Sequence, residues 1–98
     1  MAVTESAFQK KFLDRIRREF PDCVILKNDP NYIQGIPDWI VLYDNKWVAL
    51  EMKRSINSPR RPNQEYYIDQ LDGMSYAAFV YPENADEILD AIRFIFTY

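Results

Sequence analysis

A chain of 98 residues has room for one compact domain and no second, and its 48% hydrophobic content with only two glycines excludes a disordered or fibrous protein. One cysteine and no histidine exclude an internal disulfide, a zinc centre and histidine-based catalysis. The net charge of −3 is unevenly spread: residues 1–61 carry 11 Lys/Arg against 8 Asp/Glu, and residues 62–98 carry one Arg against 7 acids.

No apolar run approaches the roughly 20 residues of a membrane span, and Met1–Glu5 has neither a basic nor an apolar signal region, so an intracellular, cytoplasmic protein is expected. Thr4 or Ser6 can cap a first helix, whose apolar residues Phe8, Phe12, Leu13, Ile16 and Phe20 recur at helical spacing until Pro21 stops it. Cys23–Leu26 reads as a strand, and the turn-rich segment Lys27–Asn31 as the loop after it. Two β-branched and aromatic runs follow, Ile36–Tyr43 and Lys46–Lys53, separated by Asp44-Asn45. Both of these residues tolerate positive φ, which predicts a hairpin with a type I′ turn.

Ser55–Pro62 has no periodic pattern and reads as a loop. A second helix is expected from Pro62 or Asn63 through Asp72, ended by Gly73. Ser75–Tyr81 reads as a buried strand. Asn84, with Glu87 three residues on, is a capping pattern for a last helix carrying Ile88, Leu89, Ile92, Ile95 and Phe96 on one face. The resulting order, αβββαβα, predicts an α/β fold: a mixed central sheet flanked by helices in a single domain.

A two-residue loop at Asp44-Asn45 sets Tyr43 opposite Lys46, Leu42 opposite Trp47, and so Asp38 opposite Glu51. Facing side chains stand about 5 Å apart on one side of the sheet, where like charges repel. Lys53 shares that side with Glu51, two residues along the strand, and supplies one positive charge. A divalent cation would supply the rest, since Mg²⁺ is held by one or two carboxylates together with water and phosphate oxygens. The competing reading is an exposed charge patch. Against it stand the apolar neighbours Trp39, Ile40, Val41, Val48, Ala49 and Leu50, and Pro37, which removes a ladder donor beside Asp38.

Gly35-Ile36-Pro37-Asp38, Glu51-Met52-Lys53 and Gln64 at the start of the following helix resemble the VRR-Nuc branch of the PD-(D/E)XK nucleases over roughly residues 4 to 81. The resemblance implies a restriction-endonuclease-like fold and a Mg²⁺-dependent endonuclease, with Mn²⁺ as a substitute. It implies DNA as substrate, with branched or flapped structures and Holliday junctions cut by related proteins. It places Asp38 and Glu51 as metal ligands, Lys53 as the catalytic lysine and Gln64 as the site glutamine; the Met52 carbonyl is expected as a further ligand. The family's first helix usually brings an acid near the metals. On a helical wheel Glu5 falls near the centre of the apolar stripe and Glu19 off-centre, so Glu5 is favoured.

Arg54, Arg60 and Arg61, beside the catalytic strand, are candidates for phosphate contacts, and Tyr32, Tyr66 and Tyr67 for stacking on unpaired bases. Ala91, Phe94 and Tyr98 project from the last helix opposite its core stripe, which suggests a homodimer. A small stand-alone nuclease would suit a phage acting in its host's cytoplasm. The rival functions are a catalytically silent nuclease-fold module that binds DNA or protein, a ribonuclease, and a plain interaction protein.

Overall fold

Thr4 opens α1 (Glu5–Glu19): its Oγ1 accepts from the Ala7 N–H at 3.1 Å, so of the two possible caps Thr4 takes the role. The computed structural model describes residues 4–98, and the expectation that Met1–Val3 begins no signal sequence lies outside the described residues. Phe8, Phe12, Leu13 and Ile16 bury one face of α1, and the helix ends at Phe20, whose N–H still reaches the Ile16 carbonyl before Pro21 breaks the ladder.

β1 (Val24–Lys27), β2 (Trp39–Tyr43) and β3 (Lys46–Met52) form an antiparallel meander, and β4 (Ala77–Val80) joins β3 in parallel, giving the sheet order β1-β2-β3-β4. A parallel neighbour requires a crossover, and α2 (Gln64–Met74) supplies it. α3 (Ala85–Thr97) closes the chain. The architecture is therefore a single α/β domain with a four-stranded mixed sheet and three helices in the expected αβββαβα order.

Alternation along β3 divides the core. Val48, Leu50 and Met52 face α1 and α3, where they pack with Phe12, Ile16, Leu89, Ile92 and Phe96. Burying each of the larger side chains is worth about 1.5–3 kcal/mol. Ala49 points the other way, with Ala77 and Phe79 of β4, and meets Ile68 of α2. The small residues Ala49 and Ala77 let α2 lie close to this face. No helix among the described residues is long and apolar enough to cross a membrane.

Four local expectations are corrected. Asp44 has φ 56° but Asn45 is not left-handed, so the hairpin turn is not type I′, although the register is the one a two-residue loop dictates. β2 starts at Trp39 and not at Ile36, because Pro37 offers no ladder donor and the residues before it belong to a loop. Gly73 lies inside the last turn of α2. The helix continues to Met74 and ends at Ser75, whose N–H bonds the Leu71 carbonyl and whose Oγ donates to the Trp47 carbonyl of β3 at 2.5 Å. Asn84 is the N-cap residue of α3 but caps nothing with its side chain. Instead it reaches back, accepting from the Tyr81 N–H and donating to the Phe79 carbonyl, and so fixes the β4–α3 turn.

Candidate active site

Glu51 and Lys53 lie at the end of β3 on the face that Ala49 turns toward α2. All five β2–β3 pairs follow one register, from Tyr43↔Lys46 to Trp39↔Leu50, and one further step sets Asp38 opposite Glu51. Beyond the strand, the Lys53 N–H still bonds the Val80 carbonyl at 2.8 Å, which extends the β3–β4 ladder and holds the lysine backbone in line.

From the other side comes Gln64, the first residue of α2. Asn63 turns the chain into that helix in the left-handed conformation, φ 71°. The Gln64 Oε1 accepts from Lys53 Nζ at 2.9 Å and from the Arg61 backbone N–H at 2.8 Å. Glu51, Lys53 and Gln64 are 5%, 8% and 7% exposed, so three polar side chains are buried together at one end of the sheet. Buried polar groups ordinarily pair. Lys53 does so with Gln64 and stands 3.9 Å from Glu51 Oε2, but Glu51 Oε1 is buried without a hydrogen-bond partner.

That orphaned oxygen has an electrostatic counterpart. Burial first, and then the negative charge of Asp38, push the Glu51 carboxyl up to about 7; Lys53 and the Asp38 N–H pull it down without prevailing, and Glu5 adds a further upward push. The site is short of positive charge. The described residues hold no group of three or more His, Cys, Asp or Glu arranged to hold one ion. A Mg²⁺ site needs only one or two carboxylates besides water and phosphate oxygens, and Asp38 and Glu51 provide them. Since Ala49 and Lys53 give their N–H groups to β4, the alternation of the strand turns Met52 toward β2, where the register places Pro37 with no N–H to offer. The residues present therefore suit a divalent cation.

Asp38, Glu51, Lys53, Gln64, Glu5 and Arg61 line one cleft of about 570 Å³. Its remaining wall comes from the loop before β2, through Asn31, Gln34, Gly35 and Ile36, and the polar side chains of Asn31 and Gln34 join the expected site residues there. The loop is pinned at both ends: Asn28 donates its N–H to the Asp38 carbonyl and its Nδ2 to the Pro37 carbonyl, each at 2.7 Å. Gly35, at φ 92°, touches the start of α2 so closely that a Cβ would lie 2.7 Å from Asn63 atoms. Only glycine meets both conditions.

Glu5 is exposed, contrary to the expectation that it lies on the buried stripe of α1; it opens into the cleft from the helix's first turn. Glu19 sits at the other end of the helix in a two-point ion pair with Arg93 of α3, which holds its carboxyl below the usual range. Arg61 lines the cleft, and Arg54 lines a smaller one beside it. Arg60 lines neither: its guanidinium lies 3.9 Å from the centre of the Phe79 ring and pairs with Glu65 at 2.8 Å. Tyr32 is exposed on the loop before β2, and Tyr66, also exposed, packs edge to face with Tyr67 on α2. Comparison of the chain with protein-family models, with curated proteins and with solved structures gives no match in any of the three.

Proposed function

We propose that this protein is a divalent-metal-dependent endonuclease that hydrolyses DNA phosphodiester bonds, with a restriction-endonuclease-like fold of the VRR-Nuc kind. The observation that carries the reading is the buried, unpartnered Glu51 Oε1 beside Asp38, with the Lys53 ammonium fixed next to it by Gln64. A structural core has no use for such an arrangement, which leaves a buried acceptor unpaired at a cost of about 1–3 kcal/mol. A metal-dependent hydrolase has one.

Asp38 and Glu51, with the Met52 carbonyl, would hold the ion, Mg²⁺ or Mn²⁺ in its place. When bound, such an ion polarises the phosphodiester and lowers the pKa of a bound water. The chain's own groups do the rest. Lys53 spends one N–H on Gln64. Its two remaining donors are free for the attacking water or a phosphoryl oxygen. Because the ammonium is buried and held before the reaction, it stabilises developing negative charge more strongly than a solvated lysine would. Gln64 is a positioning residue: its Oε1, fixed by the Arg61 N–H, sets the direction of the lysine. Glu5 adds a carboxylate at the mouth of the cleft.

An acidic chain gains little from non-specific attraction to duplex DNA, so selection by shape, for branched, flapped or four-way junction DNA, is the substrate preference we infer. A homodimer through the exposed Phe94–Tyr98 pair of α3 would bring two sites to such a substrate. The cytoplasm, of a host cell if the chain is phage-encoded, is where that substrate is met. The test is a cleavage panel of duplex, single-stranded, flapped and four-way DNA and the matching RNA, each with Mg²⁺, Mn²⁺ or EDTA. Metal-dependent nicking of at least one DNA is expected. Binding without cleavage would favour a silent nuclease-fold module, and cleavage of RNA alone would make the protein a ribonuclease.

A further inference from the structure

Beside the main cleft lies a second, of about 370 Å³, and the two share Glu5, Lys53 and Arg61 as a common wall. Their electrostatic characters differ. The main cleft is lined by three carboxylates, those of Glu5, Asp38 and Glu51, against Lys53 and Arg61. The second is lined by three cations, Lys53, Arg54 and Arg61, against Glu5 alone, and adds the hydroxyls of Thr4 and Ser58.

In a chain with more acids than bases, exposed arginines readily find carboxylates, and most do: Arg15 pairs with Asp86, Arg17 with Asp14, Arg60 with Glu65, and Arg93 with Glu19 and Asp90. Of the described arginines only Arg18, Arg54 and Arg61 make no ion pair, and two of these three line this one cleft. Both guanidinium groups are exposed, so their donors are turned to water and free to receive an anion that enters the cleft. Guanidinium groups match the oxygens of a phosphate in geometry as well as charge.

We infer that the second cleft is a phosphate subsite, which binds between Arg54 and Arg61 the phosphate neighbouring the one that is cut, on the same strand. That this phosphate neighbours a cut one rests on the nuclease reading; the subsite itself rests on the cleft and its two unpaired arginines. A strand crossing the shared wall passes from the carboxylates of one cleft to the arginines of the other, over Lys53. Arg60, next to Arg61 in sequence but already occupied by Phe79 and Glu65, takes no part.

Two measurements test this. In EDTA, the binding of a short labelled single-stranded DNA is followed by anisotropy over a salt series, using wild type, Arg54→Ala, Arg61→Ala and Arg60→Ala, each checked for a wild-type melting curve. Arg54→Ala and Arg61→Ala are each expected to lower the slope of log affinity against log salt by about 0.7, the loss of one single-strand phosphate contact, while Arg60→Ala leaves it unchanged. Arg54→Lys and Arg61→Lys should retain the slope. Equal slopes for all the alanine variants overturn the subsite. In the second measurement, DNA with one neutral methylphosphonate beside the cut position should be cleaved more slowly by wild type and without that penalty by the double variant Arg54→Ala/Arg61→Ala. Cleavage that senses no such position in an arginine-dependent way overturns the subsite and leaves the nuclease reading standing. Arginine-dependent binding with no cleavage in Mg²⁺ or Mn²⁺ does the reverse.

Discussion

Glu51 is held where its charge is unwelcome, and that has a consequence for stability apart from any reaction. A glutamate that titrates near 4.5 in the unfolded chain and at about 7 in the fold keeps a proton in the native state that the unfolded state has already lost. Between these values stability must fall as pH rises, by roughly 3 kcal/mol in all, and above them it levels off. In EDTA the urea midpoint of wild type should therefore drop more between about pH 5 and pH 8 than that of Glu51→Gln, which has no proton to lose. Parallel midpoints for the two proteins would contradict the burial argument. Calorimetric titration with Mn²⁺ should show binding that Glu51→Gln and Asp38→Asn abolish and Lys53→Ala spares, since the lysine lies beside the proposed ligands and is not one of them. At the other acid in question, Glu5→Gln should slow cleavage, whereas Glu19→Gln should leave kcat unchanged and slightly lower the Tm through loss of the Arg93 pair. The opposite ranking would reassign the helix-borne carboxylate.

The elements meet at the site through one close backbone contact. Gly35 brings the loop before β2 against Pro62 and Asn63, so the walls carrying Asp38 and Gln64 are spaced by a glycine at φ 92° with no room for a Cβ. Gly35→Ala should cost about 1–3 kcal/mol in urea unfolding and slow cleavage as Gln64 shifts. Wild-type stability and rate would mean the contact is loose. Much of this was readable in the sequence. Period-two alternation and a two-residue loop define the β2–β3 register, and the register alone brings Asp38 to Glu51. The turn type escaped because Asp44-Asn45 suits more than one hairpin geometry, and the strand start escaped because Ile36 looks like strand while Pro37 acts as a break. Gly73 looked like a stop, yet α2 ends where Ser75 ties to Trp47, a contact between residues far apart in the chain. The polar wall of Asn31 and Gln34 left no sequence signal beyond loop composition. Glu5 lines the cleft, as its angle on the helix wheel suggests, but in the first turn of α1 it is exposed and not on the buried stripe.

At the scale of the whole molecule, α3 presents Phe94 and Tyr98, 63% and 83% exposed and stacked at 4.7 Å, on the side away from the core. Two aromatics set together in water form the seam we propose for a second copy. Sedimentation at micromolar concentration should give about twice 11.7 kDa, and Phe94→Lys/Tyr98→Lys should give the single mass with an unchanged melting curve. A monomer both free and on DNA would refute the dimer without touching the chemistry. The chemistry stands or falls on Lys53, the one group proposed to act in the reaction while binding no metal. Single-turnover cleavage of the best DNA of the panel, by wild type and Lys53→Ala purified side by side in Mg²⁺, should differ by at least about a hundredfold. Equal rates, or no cleavage by wild type on any DNA with either metal, would contradict the account.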